Sequence, residues 1–363
     1  FDIRKVVWKG AIDLGLRYPY FGSGVETFAY SYYFTRPEAH NLTSEWDFIY
    51  NKAHNEYLNY FATTGFVGVS AYLILIISVF ILFWRYYEQN PNKMKVEKDT
   101  LLVTCVMLGF VTILITNFFG FSVSTIQILC YLTPAIVIAL MQPAKEFKPL
   151  TFKYITIHKK IALVVCSIIF IWGIWYIQNY YIADVNYAKA KIKMAQNEYT
   201  DALILLDAAI KSKYEHVYED KMSYTLANLA FIYSFSDEKE RANKYILLAD
   251  VANLKTLEYS PENIQYWRTR GKNYYLFYQI TNSEEDLQKA LVAFEKVTAI
   301  AKTDVQSKYT LALFNWIASR EVTDSEKSAL LYGRALDEIR TVIDMKPNYM
   351  EAQELLSEIL AGA

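Results

Sequence analysis

Cysteine is scarce in this chain. Its three copies in 363 residues, Cys105, Cys130 and Cys166, stand inside apolar stretches without a CxxC or Cys/His spacing, and read as small core or lipid-facing residues. That pattern excludes a zinc site or a disulfide framework. An excess of either charge is also lacking: 37 Lys+Arg face 38 Asp+Glu, which leaves no basic surface for nucleic acid. The glycine-containing turn at 17–24, RYPYFGSG, has no Gly-Lys-Ser/Thr after it, so it is not a P-loop. Neither an initiator methionine nor a basic leader opens the chain. Phe1 reads as the cut end of a longer protein whose earlier spans are missing.

What is present falls into two unlike halves, the first apolar in long blocks and the second charged and periodic. Four runs are long and apolar enough to supply the roughly 20 helical residues that cross a bilayer: 67–84, 100–119, 124–141 and 161–177. Thr116, Asn117 and Gly120 soften the second and Pro134 interrupts the third, which neighbouring helices can accommodate. An uncharged stretch around Phe121 joins these two into a hairpin. Arg85, Lys93, Lys95 and Lys98 follow the first run, and Lys145, Lys148, Lys153, Lys159 and Lys160 separate the third from the fourth, whereas the hairpin loop has no Lys or Arg. By the positive-inside rule both basic loops are cytoplasmic. Residues 1–66, the hairpin and everything beyond Tyr181 then face outward, away from ATP and sugar nucleotides. Almost no ionisable residue falls at mid-membrane depth, which disfavours a coupled transporter.

Residues 1–66 are expected to hold two helices and a polar, aromatic loop. In DIRKVVWKGAIDLGL, Ile3, Val6, Val7 and Ile12 form an apolar side among Arg4, Lys5, Lys9 and Asp13, and Arg4 stands four residues before Trp8, whose ring can pack its guanidinium. Pro19 breaks this helix, and Gly22 and Gly24 make a turn. A second helix over about 50–64, with His54 at its start, puts Tyr57, Leu58 and Phe61 on an apolar side and Glu56 and Asn59 elsewhere. Gly65 stops it, so it lies in the interface before the chain enters the membrane. Each feature also has a plain structural reading. His54 could be a packing residue, Arg4 a headgroup anchor, the glycines turn chemistry, Tyr30, Tyr32 and Tyr33 an aromatic belt, and Asn41-Leu42-Thr43 a chance sequon.

Taken in order, Arg4-x-x-x-Trp8, then RYPYFGSG with Thr27-Phe28, then Ala53-His54-Asn55-Glu56-Tyr57-Leu58, then Thr64-Gly65-Phe66-Val67-Gly68 opening a span, residues 1–140 resemble the O-antigen ligase and O-antigen polymerase superfamily. The resemblance implies an all-α, polytopic transmembrane glycosyltransferase of the GT-C type, in the bacterial cytoplasmic membrane. It would move a glycan from an undecaprenyl diphosphate carrier to an acceptor hydroxyl outside the cytoplasm, without metal, nucleotide or other cofactor. It makes His54 the base and Arg4 a diphosphate ligand, with Asn55, Glu56, Gly65 and Gly68 supporting the motif. Arg17 joins them as a second cation by its position in the same loop. Elementary chemistry agrees: a hydroxyl attacking an anomeric carbon needs a proton acceptor that imidazole supplies near neutral pH, and guanidinium groups can take up a diphosphate's charge. Glu45, Asp47 and Glu56 are alternatives for orienting the imidazole.

Beyond about residue 179 the helices carry an Ala, a large residue four on and another three further: Ala202/Leu206/Ala209, Ala242/Ile246/Ala249, Ala290/Phe294/Val297 and Ala335/Ile339/Val342, with Pro347 after the last and Trp267 near the start of an intervening helix. The pattern resembles degenerate tetratricopeptide repeats stacked as an α-solenoid, with extended turns at SFSDEKE and TNSEED. The expected domains are an outer catalytic loop at 1–66, four spans at 67–181 and a repeat domain at 182–363. The repeats are expected to act as spacer or assembly module and to meet a protein partner. Ligase, polymerase and protein O-oligosaccharyltransferase remain alternatives, since lipid, glycan and protein acceptors demand the same residues. So does a non-enzymatic membrane-anchored repeat scaffold.

Overall fold

The computed structural model describes residues 3–88, 98–141, 157–236 and 238–362. Lys93, Lys95, Lys145, Lys148 and Lys153, which carry much of the sidedness expectation, lie outside the described residues, as does Asp237 of the SFSDEKE turn. The described chain is all-α, with no strand among the described residues. In order it forms α1 (Ile3–Arg17), α2 (Phe28–Ser31), two 3₁₀ turns (Tyr32–Phe34 and Glu38–Leu42), α3 (Glu56–Glu88), α4 (Lys98–Phe119), α5 (Ser124–Met141) and α6 (Ile157–Ala195). Eight helices follow: α7 (Tyr199–Ser212), α8 (His216–Ser234), α9 (Lys239–Tyr259), α10 (Ile264–Thr281), α11 (Glu284–Ile300), α12 (Val305–Glu321), α13 (Ser325–Met345) and α14 (Met350–Ala361). Four of the helices are long and apolar enough to cross a membrane, α3 to α6, in the places the apolar runs predict.

Two compact units divide the chain. The first is 1–147 with the short segment 301–305, the second 148–300 with 306–363. The changes of composition at 66/67 and 181/182 are therefore not where the packing divides. Three of these apolar helices group with residues 1–66, whereas the fourth belongs with the later helices. α6 explains this, because it runs unbroken for 39 residues, roughly 60 Å or twice the hydrocarbon thickness, and carries its apolar run directly into the first helical pairing with α7.

In the first unit α1 buries Val7, Ala11 and Leu14 against Phe28, Tyr32, Tyr50, Ala53 and Ala62. Ile12, expected on the apolar side, is instead 41% exposed, because Gly10 and Gly15 let the neighbouring face approach Tyr32 and Phe61 closely. Below this cluster Tyr72, Ile76 and Val79 of α3 pack with Val103, Met107 and Phe110 of α4 and with Cys130 and Val137 of α5.

The joint between the loop and the long apolar part of α3 lies at Gly65. There α3 leaves helical geometry (φ 65°, ψ −165°) and folds back sharply enough for Tyr60 before the bend to stack on Tyr72 after it, with ring centroids 4.5 Å apart. Such a bend strips four backbone groups of their helical partners, and RYPYFGSG replaces them. The amides of Ser23 and Gly24 donate to the carbonyls of Ala62 and Thr63, both at 3.0 Å, and the amides of Phe66 and Val67 donate to the carbonyls of Pro19 and Tyr20 at 2.7 and 3.2 Å. Gly22, at φ 68°, lies so close that a Cβ would stand 2.2 Å from the Thr63 carbonyl carbon. The turn and Gly65 are two halves of one backbone clasp.

In the second unit consecutive helices pack on one another, α6 on α7, α7 on α8 and α8 on α9, with α10 against both α8 and α11. The predicted triads are its core. Ala202, Leu206 and Ala209 are fully buried, as are Ala335, Ile339 and Val342. Ala290, Phe294 and Val297 are nearly so, and only Ile246 of α9 is half-buried. Gly271 of α10 lets the Phe294 ring lie flush on the helix, since a Cβ there would meet it at 2.5 Å.

Candidate active site

The site is built where α1 and the start of α3 meet. His54 does not begin the second helix, as periodicity suggests. It precedes it, in the left-handed backbone region at φ 54°. Asn55 starts the helix instead: its side-chain oxygen accepts from the Leu58 amide at 3.0 Å and its carbonyl from the Asn59 amide at 2.8 Å, which is an N-cap. The His-Asn-x-x-Leu spacing thus has a mechanical basis, since the cap fixes the helix start and the residue before it is turned out of the helical path. Asn55→Ala is expected to lower stability by about 1 kcal/mol, while Asn55→Asp, which also caps, stays near the parent in a thermal-unfolding measurement in detergent.

Trp8 of α1 donates its indole N–H to the His54 carbonyl at 3.3 Å. Arg4 is one turn earlier on the same helix face, and its charge reaches the imidazole. The imidazole packs edge-on against Tyr50 and Phe121, with centroids 5.4 and 5.1 Å away, so the α4–α5 hairpin supplies one wall. Neither ring nitrogen of His54 hydrogen-bonds to another described residue. Partial burial holds its pKa below the ordinary imidazole value, with Glu45 raising and Arg4 lowering it. The ring is therefore neutral at neutral pH, the form in which an imidazole nitrogen can accept a proton.

The other expected residues divide. Glu56, expected away from the packed side, is buried at the first turn of α3, where its carboxylate accepts from the Ser122 amide of the hairpin at 3.4 Å. It ties helix to hairpin and does not orient His54. Asp47 is exposed, and of the three acidic candidates Glu45 is the one whose charge raises the pKa of the imidazole. Gly65 is half of the clasp, and Gly68 lets Thr64 lie against the helix where a Cβ would collide with its hydroxyl at 2.0 Å. Arg17 is not brought to the site. It ends α1, thirteen residues and about 20 Å of helix from Arg4, with its guanidinium 4.9 Å from the Phe34 ring centroid. The sequon is closed as well: Asn41 is fully buried, accepts from Arg36 at 2.6 Å and donates to the Thr303 carbonyl at 2.9 Å.

Sequence reasoning missed His40. It is fully buried, with Nδ1 3.1 Å from the Tyr32 hydroxyl and Nε2 3.3 Å from the Glu45 carbonyl. Burial and the nearby Arg36 guanidinium depress its pKa to about 4, so it is neutral and donates from Nε2 while Nδ1 accepts. The missed signal was its scarcity: His40 and His54 are two of only four histidines, fourteen residues apart in one loop. Among the described residues no group of His, Cys, Asp and Glu could hold a metal ion.

Comparison with curated proteins and with solved structures finds no match. Residues 1–73, the segment that carries α1, the clasp, His54 and the start of the first span, match the O-Antigen ligase family.

Proposed function

We propose that this chain is the His-Asn part of a lipid-linked glycan transferase, moving a glycan from a polyprenyl diphosphate carrier to an acceptor hydroxyl on the outer side of a bacterial inner membrane. The observation that carries the reading is an imidazole at His54 whose ring nitrogens hydrogen-bond to no other described residue, set between the rings of Tyr50 and Phe121 and within electrostatic reach of Arg4, in the segment that matches the O-Antigen ligase family. In this reading His54 accepts the proton of the attacking hydroxyl as the anomeric C–O bond to the carrier breaks, and Arg4 takes up charge on the departing diphosphate. Asn55, Glu56, Gly65 and Gly68 hold the scaffold, and Arg17 has no part in the diphosphate site. The helices after Ala195 are a tetratricopeptide-like module that brings an acceptor or a protein partner.

Two measurements test this. Arg4→Ala is expected to raise KM for the polyprenyl diphosphate donor about tenfold or more in a membrane transfer assay, whereas Arg17→Ala leaves KM within about twofold of the parent. Equal effects of the two substitutions would remove Arg4 from its role. Mass spectrometry of surface glycans from a deletion strain separates the acceptors: loss of long lipid-attached chains marks a ligase, single unjoined repeat units a polymerase, and bare proteins an oligosaccharyltransferase. Ligase is the reading we favour, on the family match.

A further inference from the structure

We infer that Glu45 and Tyr50 form a positioning pair for His54, fixing the face of its imidazole and supplying the negative charge that stabilises it when it takes up a proton. This rests on the reading of His54 as the base. The Tyr50 hydroxyl donates a hydrogen bond to the Glu45 carboxylate, while the Tyr50 ring, only 7% exposed, lies edge-on against the imidazole. Burial and that carboxylate push the Tyr50 hydroxyl far above its ordinary pKa, so it remains a donor at any working pH.

Glu45 is itself held from behind. His40 donates to its carbonyl and packs at right angles to the Tyr50 ring, with centroids 5.2 Å apart, and Tyr32 closes the stack by bonding to His40. Two histidines of one loop thus have opposite assignments. The nitrogens of His40 are both engaged inside the protein, and its low pKa keeps it an uncharged strut; those of His54 face no partner among the described residues. The titratable groups facing His54 are Glu45 and Tyr50 from the loop and Arg4 from α1; the hairpin contributes the uncharged Phe121 and α1 also the indole of Trp8. Arg4 disfavours the imidazolium, so Glu45 is what offsets it during proton transfer.

Glu45→Gln removes the charge and keeps an oxygen for the Tyr50 hydroxyl, and Tyr50→Phe removes the hydrogen bond and keeps the ring. Four histidines in the chain make ¹³C-histidine labelling of the full protein in detergent resolvable, with the His54 signal assigned by its loss in His54→Asn. In Glu45→Gln the His54 titration is expected to move to lower pH and the acid limb of the transfer rate to move with it, while the plateau rate falls about tenfold. Tyr50→Phe is expected to lower the plateau as well, with the ring contact preserved. An unmoved or upward-shifted His54 titration in Glu45→Gln overturns the pair, whatever happens to the rate. A titration that shifts while the acid limb stays in place upholds the contact but overturns the pair's role through His54, and the base reading falls with it. Loss of transfer in His54→Asn beside an unmoved titration in Glu45→Gln leaves the base reading intact and removes only the pair.

Discussion

His54→Asn is expected to lower glycan transfer by about 10²–10⁴-fold, the range for removing a general base, with the protein still inserted in the membrane and unchanged in thermal stability. Asparagine is the informative substitution here because position 54 has positive φ, which asparagine adopts with the least strain of the side chains that lack a basic nitrogen. The fold should not register the change. What α1 grips is the His54 carbonyl, through Trp8, and among the described residues the imidazole itself makes edge contacts with Tyr50 and Phe121 and no hydrogen bond. The parental pH profile should show the matching signature. Because burial lowers the pKa of His54, the neutral form persists below the ordinary imidazole range, and transfer declines only as acidification protonates it. Parental transfer rates in a folded His54→Asn protein would favour the scaffold reading, in which function survives this change and is lost on removing the helices after Ala195.

The sequence discloses those parts of the site that depend on local chemistry. The four spans follow from apolar length alone, and the triads of α7, α9, α11 and α13 follow from helical period, so each appears where expected. Gly65 as a stop also holds, since a bend there is a property of the backbone. The errors arise where tertiary partners reverse a local preference. Periodicity gives the start of α3 an apolar packed face at Tyr57, Leu58 and Phe61, yet these three are only half-buried, and the buried residues there are Ala62 and the polar Glu56, Asn59 and Thr63. Glu56 can be buried because the hairpin, 66 residues away, offers it the Ser122 amide. No window of sequence contains that pairing. Arg17 fails for a different reason: proximity in sequence to the loop says nothing about which end of a rigid 15-residue helix faces the imidazole.

Gly65→Ala is expected to have the largest effect on folding, a loss of more than about 4 kcal/mol, read as failure to accumulate in membranes or as a collapsed melting temperature in detergent. Three costs coincide. An alanine at φ 65° is strained, and its Cβ would lie 2.5 Å from the Tyr20 carbonyl carbon and oxygen and 2.6 Å from the Phe21 nitrogen, all backbone atoms that cannot swing aside as a side chain could. Displacing them breaks the four backbone hydrogen bonds of the clasp, each unmade group costing about 1–3 kcal/mol where water is scarce. Gly22→Ala attacks the same clasp from the other side, with its Cβ 2.2 Å from the Thr63 carbonyl carbon. The two substitutions should therefore not add: once either has opened the joint, the second has little left to disrupt, so the double variant melts close to the worse single one. Gly109→Ala and Gly173→Ala are the controls, because a Cβ at either site meets nothing within 4 Å, and both should match or slightly exceed the parent. Full additivity of Gly22→Ala and Gly65→Ala would show that the turn and the bend are independent, and the RYPYFGSG segment would then need another reason for its glycines.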